Sequence, residues 1–300
     1  MTRGGPPVLL TLLAGLREAL AALPPEAALA ALPPERGGEA AWDLAATLLA
    51  ELTGHLIPRL SHPDAPALVA VTGPTGAGKS TLVNGLAGVE VSPAGPLRPT
   101  TRTPVLAHRS EDARWFPGDR RWVPAWDAVR PVLCAGLPPG VALLDTPAPR
   151  GRAVPLLAVA DVWLFVTTAT RYADAQGWQT LRSAGGRAAD LAVVLDRVPL
   201  AAVPTVRSEL AGLLAANGLA GASVLLITEA ALAGGRLPDN ALLPVRSWLE
   251  RLTAGRTSRD AILHRSVAGS VVALAAPLAA LDELVGDPRL HRVVLALGQR

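Results

Sequence analysis

The chain of 300 residues is poor in several residue types, and each scarcity excludes a class of protein. Its single cysteine, Cys134, has no partner for an intramolecular disulfide and forms no cysteine cluster for zinc, which is typical of a reducing compartment. The histidines show no metal-ligand spacing, and the Gly-x-Ser-x-Gly turn of serine hydrolases does not occur. A net charge of +3 is too small to predict nucleic-acid binding. Because half of the residues are hydrophobic, the chain is expected to fold rather than to be disordered.

Uncharged stretches are too short or too interrupted to predict a membrane-spanning helix, which needs about 20 apolar residues. The longest, residues 210–228, contains Asn217 and Gly218, which predict a turn between a helix and a strand. The next, residues 266–281, contains Pro277. We therefore expect a cytoplasmic protein.

Lysine is the scarcest charged residue. Of 28 basic residues only Lys79 is a lysine, and the others are arginines. A lysine is a compact point charge, whereas an arginine is a planar fork. The single lysine therefore indicates a position at which an arginine does not serve.

Both ends of the chain have a helical pattern and no strand pattern. Leucines at helical spacing begin at Leu9 and end before Pro24, and a second apolar stripe covers about residues 39–57. From about Ser258 the pattern is helical again, with Pro277 between two helical stretches. We expect these terminal helices to pack on each other as a small bundle.

The middle of the chain alternates short apolar runs with helical stretches. The predicted strands cover residues 67–71, 103–108, 141–144, 161–166, 191–195 and 223–227. The predicted helices lie near residues 79–86, 152–160, 174–184, 203–216 and 241–252. This alternation predicts an α/β fold, with a mostly parallel sheet and helices on both faces.

A phosphate-binding loop follows the first predicted strand. The pattern Gly-x4-Gly-Lys-Ser begins at Gly73, between an apolar strand and a helix, as the motif requires. Its backbone N–H groups are expected to surround the phosphates, the lysine to reach the β- and γ-phosphates, and the serine to bind Mg²⁺. The residues predicted to contact the nucleotide are Gly73, Thr75, Gly76, Ala77, Gly78, Lys79, Ser80 and Thr81.

Two later segments carry candidate Mg²⁺ ligands. Residues 97–104 form a loop rich in proline and threonine, where GTPases place a threonine that meets the metal only when a γ-phosphate is present. On this segment alone, a polar loop with proline kinks is an equal explanation. Asp145 ends an apolar strand, where a carboxylate on the metal side is expected, and a helix N-cap is the alternative.

Together these segments resemble the GTPase domain of bacterial dynamin-like proteins, in the form common in actinobacteria. The resemblance covers about residues 65–250. It rests on residues 73–84 (GPTGAGKSTLVN), 98–104 (RPTTRTP), 143–147 (LLDTP), 161–168 (DVWLFVTT) and 193–199 (VVLDRVP). It implies a P-loop NTPase fold of the Ras-like G-domain type, flanked by helices from both ends of the chain.

The resemblance also implies roles for individual residues. Lys79 and Ser80 become phosphate and Mg²⁺ ligands, with Lys79 taking part in catalysis. Thr101 becomes the switch threonine that binds the metal and acts in hydrolysis, with Thr100 as the alternative. Asp145 becomes the carboxylate on the Mg²⁺ side.

Three positions depart from the family pattern. The glycine of the third motif is replaced by Ala148, and the Gln-Ser pair of eukaryotic dynamins by Thr75-Gly76. The guanine-reading motif, [Asn/Thr]-Lys-x-Asp, aligns with residues 196–199, where Pro199 stands in the place of the aspartate.

These departures affect base recognition most directly. We expect Asp196 to supply part of the missing guanine selectivity and Arg197 to lie on the purine face. The alternative is that Asp196 caps the following helix.

The function predicted from the sequence is a dynamin-like GTPase that binds GTP and GDP with Mg²⁺ and hydrolyses GTP. The alternatives are an ATP-using P-loop enzyme and a degenerate nucleotide-binding scaffold. The resemblance implies a homodimer through the GTPase domains and a peripheral membrane contact, and nucleic acid is not an expected partner. The expected organisation is an N-terminal helical segment (1–63), a GTPase domain (64–255) and a C-terminal helical segment (256–300) that packs with the first.

Overall fold

The computed structural model describes residues 6–23, 38–92, 103–116, 129–146, 157, 159–172, 174–185, 190–233 and 235–298. The chain divides into two compact units. One contains residues 1–63, 121–124 and 267–300, and the other residues 64–120 and 125–266.

The first unit is helical. It contains helices α1 (Pro6–Ala21) and α2 (Gly38–Glu51), a π-helical turn (Leu52–Leu56), α3 (Ile57–Ser61), the second half of α8 (Arg256–Val285) and α9 (Pro288–Gly298). Buried leucines from both ends of the chain, such as Leu16, Leu52, Leu278 and Leu290, form one hydrophobic cluster. Burial of this apolar area is the main source of stability for helices of this length.

Helix α8 is continuous where the sequence predicted an interruption. Pro277 lies inside the helix, although a proline there removes one backbone hydrogen bond and costs about 3 kcal/mol. Leu274, Leu278 and Leu281 on either side of it are buried in the hydrophobic cluster. Their burial offsets the cost of the proline and keeps the helix in one piece.

Helix α8 also differs from the expectation that no segment reaches the length of a membrane span. Among the described residues it is one helix of 30 residues whose most apolar window has a mean hydropathy of 1.6. Length and composition alone therefore admit a span, and the core helix of a soluble protein passes the same test.

The second unit is built around a seven-stranded sheet. Its strands are β1 (Ala67–Thr72), β2 (Val105–His108), β3 (Arg130–Leu133), β4 (Val141–Asp145), β5 (Val162–Thr168), β6 (Asp190–Val198) and β7 (Ser223–Thr228). Its helices are α4 (Lys79–Ala87), α5 (Ala175–Gly185), α6 (Val203–Ala216), α7 (Asp239–Thr253) and the first half of α8. The order is β3-β2-β4-β1-β5-β6-β7. Only the β2–β4 pairing is antiparallel among the described strands, so the predicted α/β fold with a mostly parallel sheet is confirmed.

Strand β3 was not predicted from the sequence. It contains Pro131, and a proline within a strand is tolerated at the edge of a sheet, where its missing N–H breaks no ladder. Three of its four residues are exposed, so it lacks the apolar run that marks a buried strand. Of the predicted helix at 152–160, the structure describes residues 157, 159 and 160.

Buried side chains cover both faces of the sheet, because successive residues of a strand point to opposite sides. Val69 and Val71 belong to one cluster and Ala70 to the other. Asp161, fully buried, accepts a hydrogen bond of 2.7 Å from the Leu68 N–H and so ties the start of β5 to β1. These contacts hold β1 in the sheet, and the candidate site lies at its carboxyl end.

Candidate nucleotide-binding site

The phosphate-binding loop connects the end of β1 to the start of α4. Three of its glycines have positive φ angles, 133° at Gly73, 80° at Gly76 and 99° at Gly78, which L side chains rarely adopt. A Cβ at Gly73 would lie 2.1 Å from the Val166 carbonyl oxygen. The loop conformation therefore requires glycine for both its backbone angles and its close contact with β5.

Lys79 is the first residue of α4 and is largely buried. Its Nζ donates hydrogen bonds to the carbonyl oxygens of Gly73 (3.0 Å) and Pro74 (3.1 Å). The single lysine of the chain thus folds back over the start of the loop. This places a compact ammonium group at the N-terminal end of a helix, where backbone N–H groups also favour an anion.

Ser80 and Asp145 lie side by side. The Ser80 hydroxyl donates to Asp145 Oδ2 at 2.9 Å, and both side chains are buried. The parallel pairing of β1 with β4, in which Val71 lies opposite Asp145, brings them together across 65 residues of sequence. A hydroxyl beside a carboxylate supplies the hard oxygen donors that Mg²⁺ prefers.

Two arginines donate to carbonyl oxygens of the loop. Arg171, in the turn after β5, donates to the Thr75 oxygen at 3.1 Å. Arg197 donates to the Gly76 oxygen at 2.9 Å. Arg197 has a φ of 56° and is the one non-glycine residue with a positive φ in the described part of the chain. Such a backbone costs roughly 1–3 kcal/mol, and the hydrogen bond of Arg197 to the loop helps to offset it.

Asp196 lies beneath the loop rather than at its surface. Its side chain is 11% exposed, and its Oδ2 is 3.5 Å from Arg197 Nε and 2.5 Å from the position that a Cβ of Gly78 would take. Burial raises the pKa of Asp196, against the opposing effect of Arg197. Its Oδ1 is buried without a hydrogen-bond partner.

The alternative role of Asp196 as a helix cap is not observed. The 3₁₀ turn Leu200–Ala202 and helix α6, which follow β6, have no side-chain cap.

Among the residues predicted from the sequence, the loop, Asp145, Asp196 and Arg197 lie together at the carboxyl ends of β1, β4 and β6. Thr100, Thr101 and Ala148 lie outside the described residues. Arg171 was not predicted from the sequence, because it is 96 residues from its partner Thr75 and belongs to no motif. The sequence feature that could have indicated Arg171 is its position in a short polar stretch directly after an apolar strand. In parallel sheets, ligands bind at the carboxyl ends of the strands.

Comparisons with known proteins found a family model and solved structures to which parts of this chain are similar. Residues 69–122 match the model of the dynamin family. A solved structure of an oligomerised bacterial dynamin pair, described as sensing and tethering membranes, aligns with a TM-score of 0.49 and 13% sequence identity. The alignment covers 83% of this chain and 47% of that one, so this chain spans about half the length of that protein.

Two further structures are similar over part of this chain. Era of Aquifex aeolicus bound to GDP·AlF4⁻ aligns with a TM-score of 0.38 and 21% identity, over 61% of this chain and 56% of that one. A bacterial selenocysteine-specific elongation factor aligns with a TM-score of 0.37 and 15% identity, over 62% and 29%. The comparison with curated proteins found no match.

Proposed function

We propose that this chain, dynamin-like by its match over residues 69–122, binds guanine nucleotides with Mg²⁺ and hydrolyses GTP to GDP and phosphate. The observation that carries the proposal is the pairing of Lys79 with the start of the loop and of Ser80 with Asp145. In an exposed glycine-rich turn without a function, Lys79, Ser80 and Asp145 would not be buried together. They are brought together from α4 and β4.

The residues present fit a magnesium ion. The Ser80 hydroxyl is the proposed direct ligand, Asp145 the carboxylate on its outer side, and Thr101 the ligand added in the triphosphate state. When bound, Mg²⁺ would neutralise charge on the β- and γ-phosphate oxygens. Lys79 holds the same oxygens, and the loop N–H groups orient the phosphates.

Competition between nucleotides tests the proposal. A fluorescent GDP analogue bound to the chain should be displaced by GTP and GDP at concentrations at least about tenfold lower than by ATP. Equal displacement by ATP would favour the ATP-using alternative. A loss of all binding would refute both, with the melting temperature showing whether the protein is folded.

A second candidate, a G domain that binds nucleotide without useful turnover, is favoured by Ala148, which stands where the family pattern has the glycine of the third motif. Multiple-turnover release of phosphate from GTP separates the two. Release continuing well beyond one equivalent supports the enzyme, whereas tight binding without release supports the scaffold.

Replacing Thr101 with alanine tests the proposed switch threonine. Because it meets the metal only when the γ-phosphate is present, Thr101→Ala should slow hydrolysis at least about fivefold and leave GDP affinity nearly unchanged. Thr100→Ala is the matched control. If the control alone shows the selective loss, Thr100 is the switch residue, and equal losses for hydrolysis and GDP binding indicate a structural role.

We further propose a homodimer through the GTPase domains and a peripheral membrane contact, with the protein at the cytoplasmic side. The apolar composition of α8 and its exposed Val272 support a contact with lipid. Sedimentation with and without anionic lipid vesicles, in GDP and in a non-hydrolysable GTP analogue, measures both properties.

A further inference from the structure

Arg171 lies at the end of the loop that receives the terminal phosphate. In this motif the lysine ammonium meets the β- and γ-phosphate oxygens. Here that ammonium lies on the carbonyl oxygens of Gly73 and Pro74, and the Arg171 guanidinium lies on the next carbonyl, that of Thr75. The two cations therefore contact three consecutive carbonyl oxygens, all at the same end of the loop.

The side chain of Arg171 is held by contacts that a phosphate can replace. Its backbone N–H is fixed by a hydrogen bond of 2.9 Å to the Thr168 carbonyl at the end of β5. Its side chain is 45% exposed, and the ion pair that it forms with Asp174 is long, at 3.6 Å, so this ion pair stabilises little. A charged phosphate oxygen is a stronger acceptor than the neutral Thr75 carbonyl.

The other arginine that contacts the loop, Arg197, is held in place by other interactions. Arg197 is restrained by its unusual backbone angle, by Asp196 and by the Gly76 carbonyl. The loop itself carries Thr75-Gly76, neither of which bears a positive charge. Among the described residues around the loop, Arg171 is the cation available for the charge that develops during hydrolysis.

We propose that Arg171 is a catalytic residue that acts within its own chain on the γ-phosphoryl group, an inference that rests on the proposed GTPase function. A water oxygen forms the new bond to the γ-phosphorus while the bond to the β–γ bridging oxygen breaks. The electron pair of that bond stays with GDP, and the water proton leaves with the phosphate. The guanidinium moves from Thr75 to the γ-phosphoryl oxygens and stabilises their growing charge.

Trapping with GDP, Mg²⁺ and aluminium fluoride tests this role without turnover. A fluorescent GDP analogue reports the planar complex that mimics the transferring phosphoryl group. The wild-type chain should form this complex without any partner protein, and Arg171→Ala should not, with GDP affinity changed less than about threefold. Steady-state hydrolysis should fall at least about tenfold in kcat with little change in KM, and Arg171→Lys should restore part of it.

Arg182→Ala is the matched control, because Arg182 is an exposed arginine on the neighbouring α5 that donates to its own helix at Trp178. It should behave as wild type. Normal trapping by Arg171→Ala would overturn the proposal, as would a parallel loss of GDP affinity, which would make Arg171 a clamp of the loop. Nucleotide binding by the wild type without trapping would overturn it and leave the proposed binding function standing. Failure of the wild type to bind GDP would refute the proposed function itself.

Discussion

Lys79→Ala is expected to lower the affinity for GTP at least about a hundredfold, and the affinity for GDP, which lacks the γ-phosphate, at least about tenfold. Charge-assisted hydrogen bonds contribute about 1.5–3 kcal/mol each, and the ammonium is placed to make two of them to the β- and γ-phosphates. Their loss corresponds to at least two factors of ten, at 1.4 kcal/mol each. Isothermal titration or a fluorescent nucleotide measures the change directly.

The fold should survive this substitution. Lys79 Nζ donates to two backbone carbonyl oxygens, which are neutral, so its removal leaves no charge behind at either of them. The melting temperature of Lys79→Ala without nucleotide should therefore stay within a few degrees of the wild type.

Lys79→Arg is the sharper control, because it keeps the charge and changes its shape. All the other basic residues of the chain are arginines, yet the planar fork does not match the two carbonyls that the ammonium contacts. Its affinity should fall nearly as far as that of the alanine variant. Retention of affinity within about threefold in Lys79→Ala would refute the phosphate-loop interpretation.

Local signals predicted most of the helices and strands. Helix α6 was predicted at 203–216 and has those bounds, because a proline opens its first turn and Asn217-Gly218 follow it. The resemblance to dynamin-like proteins is also confirmed, over residues 69–122. By contrast, strand β3 carries a proline, and the π-helical turn at Leu52–Leu56 leaves no mark in a hydrophobic period of 3.6 residues.

The residues of the site that belong to a short motif could be predicted from the sequence. The contacts that depend on strand pairing and packing could not. The glycine loop and Lys79 follow from one short motif. The contact between Ser80 and Asp145 follows from the pairing of β1 with β4, which the sequence suggests only through strand order. The contact of Arg171 with Thr75, like the burial of Asp196 against Gly78, depends on packing between distant segments. The spacing of residues along the sequence does not predict contacts of this kind.

Burial of Asp196 predicts two effects of opposite sign for Asp196→Asn. Burial raises the pKa of this carboxyl in the folded protein above its usual value. The folded state therefore binds the proton more tightly than the unfolded state, and this group lowers stability as pH rises from the unfolded pKa through the raised one. Asparagine has no charge to bury. Without nucleotide, Asp196→Asn should melt above the wild type at neutral pH and converge with it in acid.

The same substitution should weaken GTP binding at least about tenfold. Asp196 Oδ1 is a buried acceptor without a partner at the carboxyl end of β6, beside the arginine that contacts the loop. Guanine offers N1–H and N2–H₂ donors, and a charge-assisted hydrogen bond to one of them is worth about 1.5–3 kcal/mol. Xanthosine triphosphate, with a carbonyl in place of the amino group, should bind the variant better than it binds the wild type.

Asp190→Asn provides the matched control, since Asp190 begins the same strand and pairs with Arg265 at 2.6 Å, at the opposite end from the loop. It should leave the affinities for GTP and xanthosine triphosphate unchanged. Nucleotide titrations and thermal melts at acidic and neutral pH give both readouts on the same samples. A rise in melting temperature without any change in nucleotide affinity would make Asp196 a structural support of Gly78. Guanine preference would then have to come from backbone groups at the ends of β6 and β7, because Pro199 offers no side-chain acceptor at the usual position.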